Sequence, residues 1–517
     1  MLTPDQLAHC SDSIVSLYSQ LNETIIRDVA RRIAKTATIT ETGRLQLAAL
    51  QNLGVLHADL LQSISKYNNM SSVELLKIFA DSSQAAVDYD SRIYRQKGLN
   101  PLPLNLSPAA MQILEAGYKK THGNLSNLTM TSAVSTQTKF IQVCTMAEMK
   151  AESGAFSAEQ AIFDAVKELA SEGATVIYPS GHQDKMDVAV RRNVMTGVGQ
   201  TTGEICLQYA EDLGWDLMEI SAHAGARPSH AAWQGQIVSL SGKPGYLSKE
   251  DIGYGTGAGF KGWNCRHDWY PYLEGSKRMY SSQELAALEE KNIEFPDGSM
   301  HTFYEAEQYQ RALERKIRES KRILAAEDEW MKNNQNEWAG KIWQREFDVQ
   351  SAKLKRQEED LASFCKKTNL QKDTSRVRSV GFNKSVSQKA VQGSKRELEK
   401  YTKYQYNNDG TIRITDDWTG RSSHFKTPAH YKPFAVIETR EEKSQGQHIQ
   451  INRTIYNENG DMSVQIHSSH HALPGTHQYG NNGEHHHYYQ WVDGEKDPIR
   501  TTDNLTDQER KEHADIL

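Results

Sequence analysis

Histidine, cysteine, arginine and tryptophan crowd into two short blocks near the middle of the chain. The first runs His223-Ala-Gly-Ala-Arg227-Pro-Ser-His230-Ala-Ala-Trp233-Gln-Gly235 and the second Trp263-Asn264-Cys265-Arg266-His267. Imidazole nitrogens and a thiolate are zinc donors, so His223, His230, Cys265 and His267 are the inventory of a site built from two loops. His-x6-His and Cys-x-His are not the short, regular pairs of common structural zinc sites, however, and local spacing assigns no metal. The composition favours a packed polar network instead, because buried imidazole and indole N–H groups must each find an acceptor. In it Arg227 and Arg266 offer planar donors and Trp233, Trp263 and Trp269 pack over them. Acid/base cleavage of a phosphodiester by His223 or His230 beside Arg227 is the competing chemistry, and it requires distances that spacing does not supply. The glycines Gly253, Gly255, Gly257, Gly259 and Gly262 between the blocks follow no clear strand and open no helix. They read as a closely packed connecting loop and not as a phosphate cradle.

A second reservoir of chemistry lies at the carboxyl end, where residues 401–517 hold eleven of the nineteen histidines. His477, Glu484 and His487 are the candidates there for acid/base or metal chemistry, within a run whose glycines suggest a surface loop. No cofactor is expected.

These blocks need elements to position them. Residues 1–150 read as helical: Ile14, Leu17, Leu21, Ile25 and Val29 recur at three- and four-residue steps, and the prolines between Lys97 and Pro108 mark a connector. Residues 151–280 read as an α+β module. Short strands at Ala174–Tyr178 and Trp215–Ser221 flank a helix over 187–212, and the second strand delivers His223 to its loop. Over 281–370 a charged helical region is expected: Ser281-x-x-Glu284 begins one helix, and a long one from Tyr304 to about Leu370 carries a sparse stripe of Leu313, Ile317, Leu324, Met331, Trp338 and Ile342, more suited to docking on its own protein than to a coiled coil. Residues 371–400 read as a basic linker. Strand segments at 411–415, 434–438 and 448–452, with turns at Asn408-Asp-Gly410 and Asn457-Glu-Asn-Gly460, make 401–517 a small β-rich domain. The fold class is therefore mainly α with a central α+β module.

Composition narrows the function. The net charge of −6 gives no general case for nucleic-acid binding. Residues 351–400 are the exception, with thirteen basic side chains against six acidic ones. Lys353, Lys355, Arg356, Lys366, Lys367, Arg376 and Arg378 are thus the candidates for a local contact with DNA. The five cysteines form no C-x-x-C pair, which suits a reducing compartment. Neither a signal peptide nor an apolar run of membrane-spanning length is evident, so a soluble, unexported protein is expected.

The order His223, Arg227-Pro228, His230, Trp233-x-Gly235, then Asn264-Cys265-Arg266-His267 and Tyr270-Pro271, resembles the signature of phage minor capsid proteins of the MuF-type head morphogenesis family, over roughly residues 1–370. The commoner family pattern ends in Asn-Cys-Arg-Cys, and His267 stands at that last position here. The resemblance implies a structural component of the virion head of a tailed phage or prophage, made in the host cytoplasm. Its partners would be the portal protein and major capsid or scaffold proteins, with packaged DNA as a further one, and neither a membrane nor a small-molecule substrate. It assigns His223, Arg227, His230, Trp233, Gly235, Asn264, Cys265 and Arg266 to a structural motif without a reaction. Some relatives resemble polymorphic toxins, so the alternative is an effector with a carboxyl-terminal nuclease or other toxin domain.

Overall fold

The computed structural model describes residues 1–36, 54–152, 158–333, 337–420, 423–443, 448–470, 478–492 and 497–517. The chain divides into two compact units, Met1–Gln388 and Lys389–Leu517.

The first unit is a helical body built from α1 (Pro4–His9), α2 (Asp12–Thr36), α3 (Gly54–Gln96), α4 (Pro108–Glu152) and α5 (Ala158–Glu172). Thr3 and Gln6 close a capping box on α1, and Pro108 opens α4 where its missing N–H costs nothing. On α2, Ile14, Leu21 and Ile25 are buried and Leu17 half-buried, as their spacing requires. The Val29 side chain lies outside the described residues. Strands β1 (Thr175–Ile177) and β2 (Gln183–Lys185) form a short hairpin that leads into α6 (Met186–Asp212). That helix buries residues around most of its circumference, among them Val190, Val194, Val198, Ile205 and Cys206, which marks it as the central helix of the body. It approaches α4 closely at two points. A Cβ on Gly117 would fall 1.9 Å from the Thr201 hydroxyl, and one on Gly197 would fall 2.1 Å from that of Thr121.

A three-stranded antiparallel sheet lies beside this body, in the order β4 (Ile237–Ser239), β3 (Leu217–Ile220), β5 (Trp269–Pro271). Its register, Glu219↔Ile237 and Ile220↔Trp269, brings the loops carrying both sequence blocks to one end of the sheet. A single turn, α7 (Pro228–Ala231), presents His230. The Ser281–Glu284 capping box opens the short helix α8 (Ser282–Ala287) as expected, and the hairpin of β6 (Ile293–Glu294) and β7 (Met300–His301) follows.

The charged segment forms two helices, α9 (Phe303–Asn333) and α10 (Glu337–Thr368), packed on each other, with α9 also resting on α2 and α5. Leu313, Ile317 and Leu324 are buried, so the sparse stripe docks on its own protein. The side chain of Trp338 lies outside the described residues. Part of the expected basic linker is docked as well: the Glu23 carboxylate accepts from the Ser379 hydroxyl at 2.6 Å, from Val380 N–H at 2.7 Å and from Gly381 N–H. A helix α11 (Lys384–Glu399) follows. The linker composition is that of an anchored strap, because one buried carboxylate satisfies three donors there.

The second unit is a six-stranded sheet in the order β13 (Ile499–Asn504), β12 (His485–Gln490), β11 (Met462–His467), β10 (His448–Tyr456), β9 (Val436–Lys443), β8 (Asp416–Asp417), closed by α12 (Asp507–Glu512). All pairs are antiparallel except β8 with β9. Ile412, Val436, Ile455, Ile466 and Leu505 make its main apolar cluster. Residues 411–415, expected as a strand, supply only an isolated bridge, Tyr406↔Ile412, around the Asn407–Thr411 turn. The expected surface loop holds over 478–482, which are irregular and mostly exposed, but is corrected beyond them: His485 to His487 begin an interior strand and are buried.

Candidate functional site

The two sequence blocks meet at the end of the three-stranded sheet. Strand β3 ends at Ile220, and Ser221 then exchanges bonds with Asp268, the residue just before β5: Ser221 N–H donates to the Asp268 carbonyl at 2.7 Å, and Asp268 N–H donates to the Ser221 hydroxyl at 2.9 Å. This clamp sets His223 and His267 side by side, their rings 4.5 Å apart. Lys261 and Asp268 form an ion pair of 2.5 Å with both side chains almost wholly buried.

Three donor atoms converge inside. His230 Nδ1 lies 3.4 Å from His267 Nδ1, and Cys265 Sγ lies 3.6 Å from His267 Nδ1 and 3.9 Å from His230 Nδ1. Each imidazole is turned by a partner on its other nitrogen: His230 Nε2–H donates to the Ala258 carbonyl at 2.8 Å, and His267 Nε2–H to Gln234 Oε1 at 3.3 Å. Gln234 also accepts the His223 N–H at 3.1 Å and donates to Glu289 at 2.9 Å. It holds both blocks together although it drew no notice in the sequence, where its one signal is its place between Trp233 and Gly235. Trp233 covers the cluster, its ring 4.3 Å from His230 and 4.9 Å from His267. Burial, and after it the Arg266 charge, lowers the His223 pKa to about 4; burial lowers that of His230 to about 4 and that of His267 well below the ordinary imidazole range. Burial pushes the Cys265 thiol up. Near neutral pH the cluster is therefore uncharged.

The remaining motif residues have separate roles. Arg266 pairs with Glu307 on α9 at 2.8 Å and donates to the Gly225 carbonyl at 3.0 Å, tying the motif to the helical body. Arg227 is half-buried and donates to the Trp263 carbonyl. Trp263 is 60% exposed and Trp269 packs on Tyr254 and Phe260 instead, so neither lies over the network as Trp233 does. Gly235 has φ +67 and abuts Leu285, and Asn264 has φ +55; both mark loop corners that few side chains tolerate. The glycine loop is packed on itself, since a Cβ on Gly259 would fall 2.1 Å from the Gly253 carbonyl oxygen.

Beside the cluster runs a groove of about 2200 Å³ lined by His223, Arg227, His230, Arg266 and His267 and, from other elements, by Arg191, Arg311, Arg315, Arg318, Arg376 and Arg378. Of the DNA-contact candidates, only Arg376 and Arg378 reach it. Lys353, Lys355, Arg356, Lys366 and Lys367 are exposed along α10, and Lys367 pairs with Glu294 at 2.9 Å.

In the second unit His467 stands opposite His485 across β11 and β12, with His487 two residues on, and the three ring centroids lie 4.7–4.9 Å apart. His485 Nδ1–H donates to the Gly483 carbonyl at 2.8 Å, and His487 Nδ1 lies 2.7 Å from the Thr502 hydroxyl. Glu484 is engaged elsewhere: burial opposes its ionisation, but the Arg510 guanidinium and the Asn481 and Asn482 N–H groups outweigh it and bring its pKa to about 2. His477 lies outside the described residues. Among the described residues, His230–Cys265–His267 and His467–His485–His487 are the groups whose donor atoms lie close enough to share a metal ion. None of the described helices is long and apolar enough to cross a membrane.

The chain belongs to the family Phage minor capsid protein 2, whose model matches residues 2–366. A structural protein of Lactococcus phage LL-H is 28% identical to it over 207 residues, 36% of this chain and 56% of that protein. A structural protein of Lactococcus phage mv4 is 39% identical over 89 residues, 16% of this chain and 60% of that protein. The chain thus spans less than two thirds of the length of these relatives. No solved structure matches it.

Proposed function

We propose that this chain is a head-morphogenesis component of a tailed phage or prophage, of the MuF type, associated with the portal and carried inside the virion head. The family match over residues 2–366 carries the reading. The helical body supports it by offering long docking surfaces for portal, major capsid or scaffold proteins. The motif cluster is buried and serves on this reading as the fixed centre that holds the loops and α9 together through Arg266 and Glu307. The groove, whose many guanidiniums outnumber the lining carboxylates Asp12, Asp187, Glu204, Glu307 and Glu314 and include those of Arg376 and Arg378, is the surface proposed to meet packaged DNA.

The test is purification of tail-less heads and portal complexes from induced or infected cells, with quantitative mass spectrometry of this chain. Low-copy recovery with the portal in both preparations supports the reading. Recovery only with tails, or only as free protein, overturns it.

The second unit favours a further reading, a delivered effector, because its interior strands bury a histidine cluster in a separately compact body. Cleavage of nucleic acid by the full chain, lost in both His485→Ala and His487→Ala, would support that reading, and inert full-length protein with an intact fold would remove it.

A further inference from the structure

We propose that His230, Cys265 and His267 form a zinc site. The inference concerns the ion alone and does not depend on which partner the helical body docks against.

The distances carry it. A tetrahedral zinc ion with Zn–N bonds of about 2.0–2.1 Å and a Zn–S bond of about 2.3 Å places two nitrogen ligands about 3.3 Å apart and sulfur about 3.6 Å from nitrogen. The cluster has 3.4 Å between the two Nδ1 atoms and 3.6 and 3.9 Å from Sγ to each. Orientation agrees with distance. Both histidines donate Nε2–H outward, to the Ala258 carbonyl and to Gln234 Oε1, so both Nδ1 lone pairs point at each other across the gap. This is the outer hydrogen bonding that fixes the tautomer of metal-ligating imidazoles. Two facing lone pairs at that separation repel, and the one thiol proton of Cys265 can satisfy only one of them at a time. A cation at the centre of the three atoms relieves both.

Topology adds a reason. Cys265 and His267 belong to one loop and His230 to another, and in this structure no disulfide joins the loops, since Cys265 is a free thiol. An ion at the three donors would staple them directly. On binding, the Cys265 S–H bond breaks, its proton leaves to solvent, and the sulfur electron pair forms the bond to zinc; nothing is oxidised. Three protein ligands leave the fourth coordination position to water, and the groove is lined by both histidines. Gln234, backed by Glu289, is a positioning residue for His267.

The full-length chain is purified without an affinity histidine tag and its zinc measured by inductively coupled plasma mass spectrometry, then zinc is exchanged for Co²⁺ and the absorption spectrum recorded. The expected result is one equivalent of metal with a near-ultraviolet thiolate-to-cobalt band and tetrahedral visible bands. Cys265→Ser should abolish the thiolate band and lose that equivalent. His267→Cys, which keeps a ligand in place and so the fold, should retain the metal and about double the thiolate band. A His485→Ala/His487→Ala double variant should leave the thiolate band unchanged, which separates this site from the histidines of the second unit. Folded wild-type protein that takes up no cobalt with a thiolate band, or a Cys265→Ser protein with undiminished band and metal content, would overturn the proposal.

Discussion

The Trp330 indole lies flat against the Trp343 indole, centroids 3.7 Å apart and planes 5° from parallel, with neither ring exposed to solvent. This stack joins α9 to α10, and Phe163 of α5 meets the edge of Trp343 at 4.8 Å, so one aromatic contact locks three helices. Truncating Trp343 to alanine should cost ~3–5 kcal/mol, the range for deleting a buried indole. Trp263→Ala, at a ring that is mostly in solvent, should change stability by less than ~1 kcal/mol. Urea unfolding of both variants checks the contrast, and equal losses would mean that the stack is no clasp.

The same helix end carries a pH dependence. Glu327 is fully buried with neither carboxyl oxygen hydrogen-bonded, and burial raises its pKa to about 8 against the opposing pull of Lys167. A carboxyl whose folded pKa is raised stabilises the fold fully below its unfolded value near 4.5. That contribution is lost as pH climbs through about 8, amounting to on the order of a few kcal/mol. Thermal unfolding between about pH 5 and 9 should show the decline in wild type, and Glu327→Gln should flatten it and melt higher at the alkaline end. An unchanged slope in the variant would contradict the assignment.

Within the motif, the structure separates two arginines that look alike in sequence. Arg266 sits in a half-buried ion pair with Glu307, whereas Arg227 makes one bond to a carbonyl. Arg266→Ala should therefore destabilise by ~2–3 kcal/mol and Arg227→Ala by ~1 kcal/mol. Trp233→Ala, which uncovers the histidine cluster, should exceed both at ~3–5 kcal/mol. Calorimetry of the three ranks them, and a larger loss at Arg227 than at Arg266 would reverse the reading.

Lys261 and Asp268 make the sharpest electrostatic test. Removing the lysine as Lys261→Met leaves a buried carboxylate without its cation, an arrangement that costs ~3–5 kcal/mol. Denaturant unfolding of this variant should show the loss at any moderate salt concentration, because a buried pair is little screened. Stability equal to wild type would mean that the backbone donors at Asp268 are sufficient alone.

For the groove, Arg376→Ala with Arg378→Ala should lower the slope of log affinity against log salt for duplex DNA by about two, one for each phosphate left without its guanidinium. Fluorescence anisotropy over a salt series measures it. An unchanged slope would move any DNA-binding surface away from this rim.

Much of the scaffold was legible in the residues themselves. The α2 stripe of Ile14, Leu21 and Ile25, the strand ending before Ser221, and the turns at Gly410 and Gly460 follow from side-chain periodicity and backbone sterics, which act within a few residues. Residues 411–415 make no ladder, despite their β propensity, because their N–H groups go to separate partners: Ile412 to the Glu512 carbonyl, Arg413 to that of Gln405 and Thr415 to that of Val436. Histidines 485–487 looked like loop because glycines precede them, yet pairing on both sides draws them into the sheet interior.

The sequence alone determined which donors exist and that two separate loops carry them, His230 after Arg227-Pro228 on one and Cys265 with His267 on the other. Only the tertiary structure decided that His230 Nδ1 faces His267 Nδ1 across 3.4 Å with Cys265 Sγ beside them, that Gln234 orients the pair, and that His223 stands outside it. The physical reason is range: propensity and periodicity act over one or two turns, while the approach of side chains more than thirty residues apart is set by the register Ile220↔Trp269 and by the ring orientations that packing enforces.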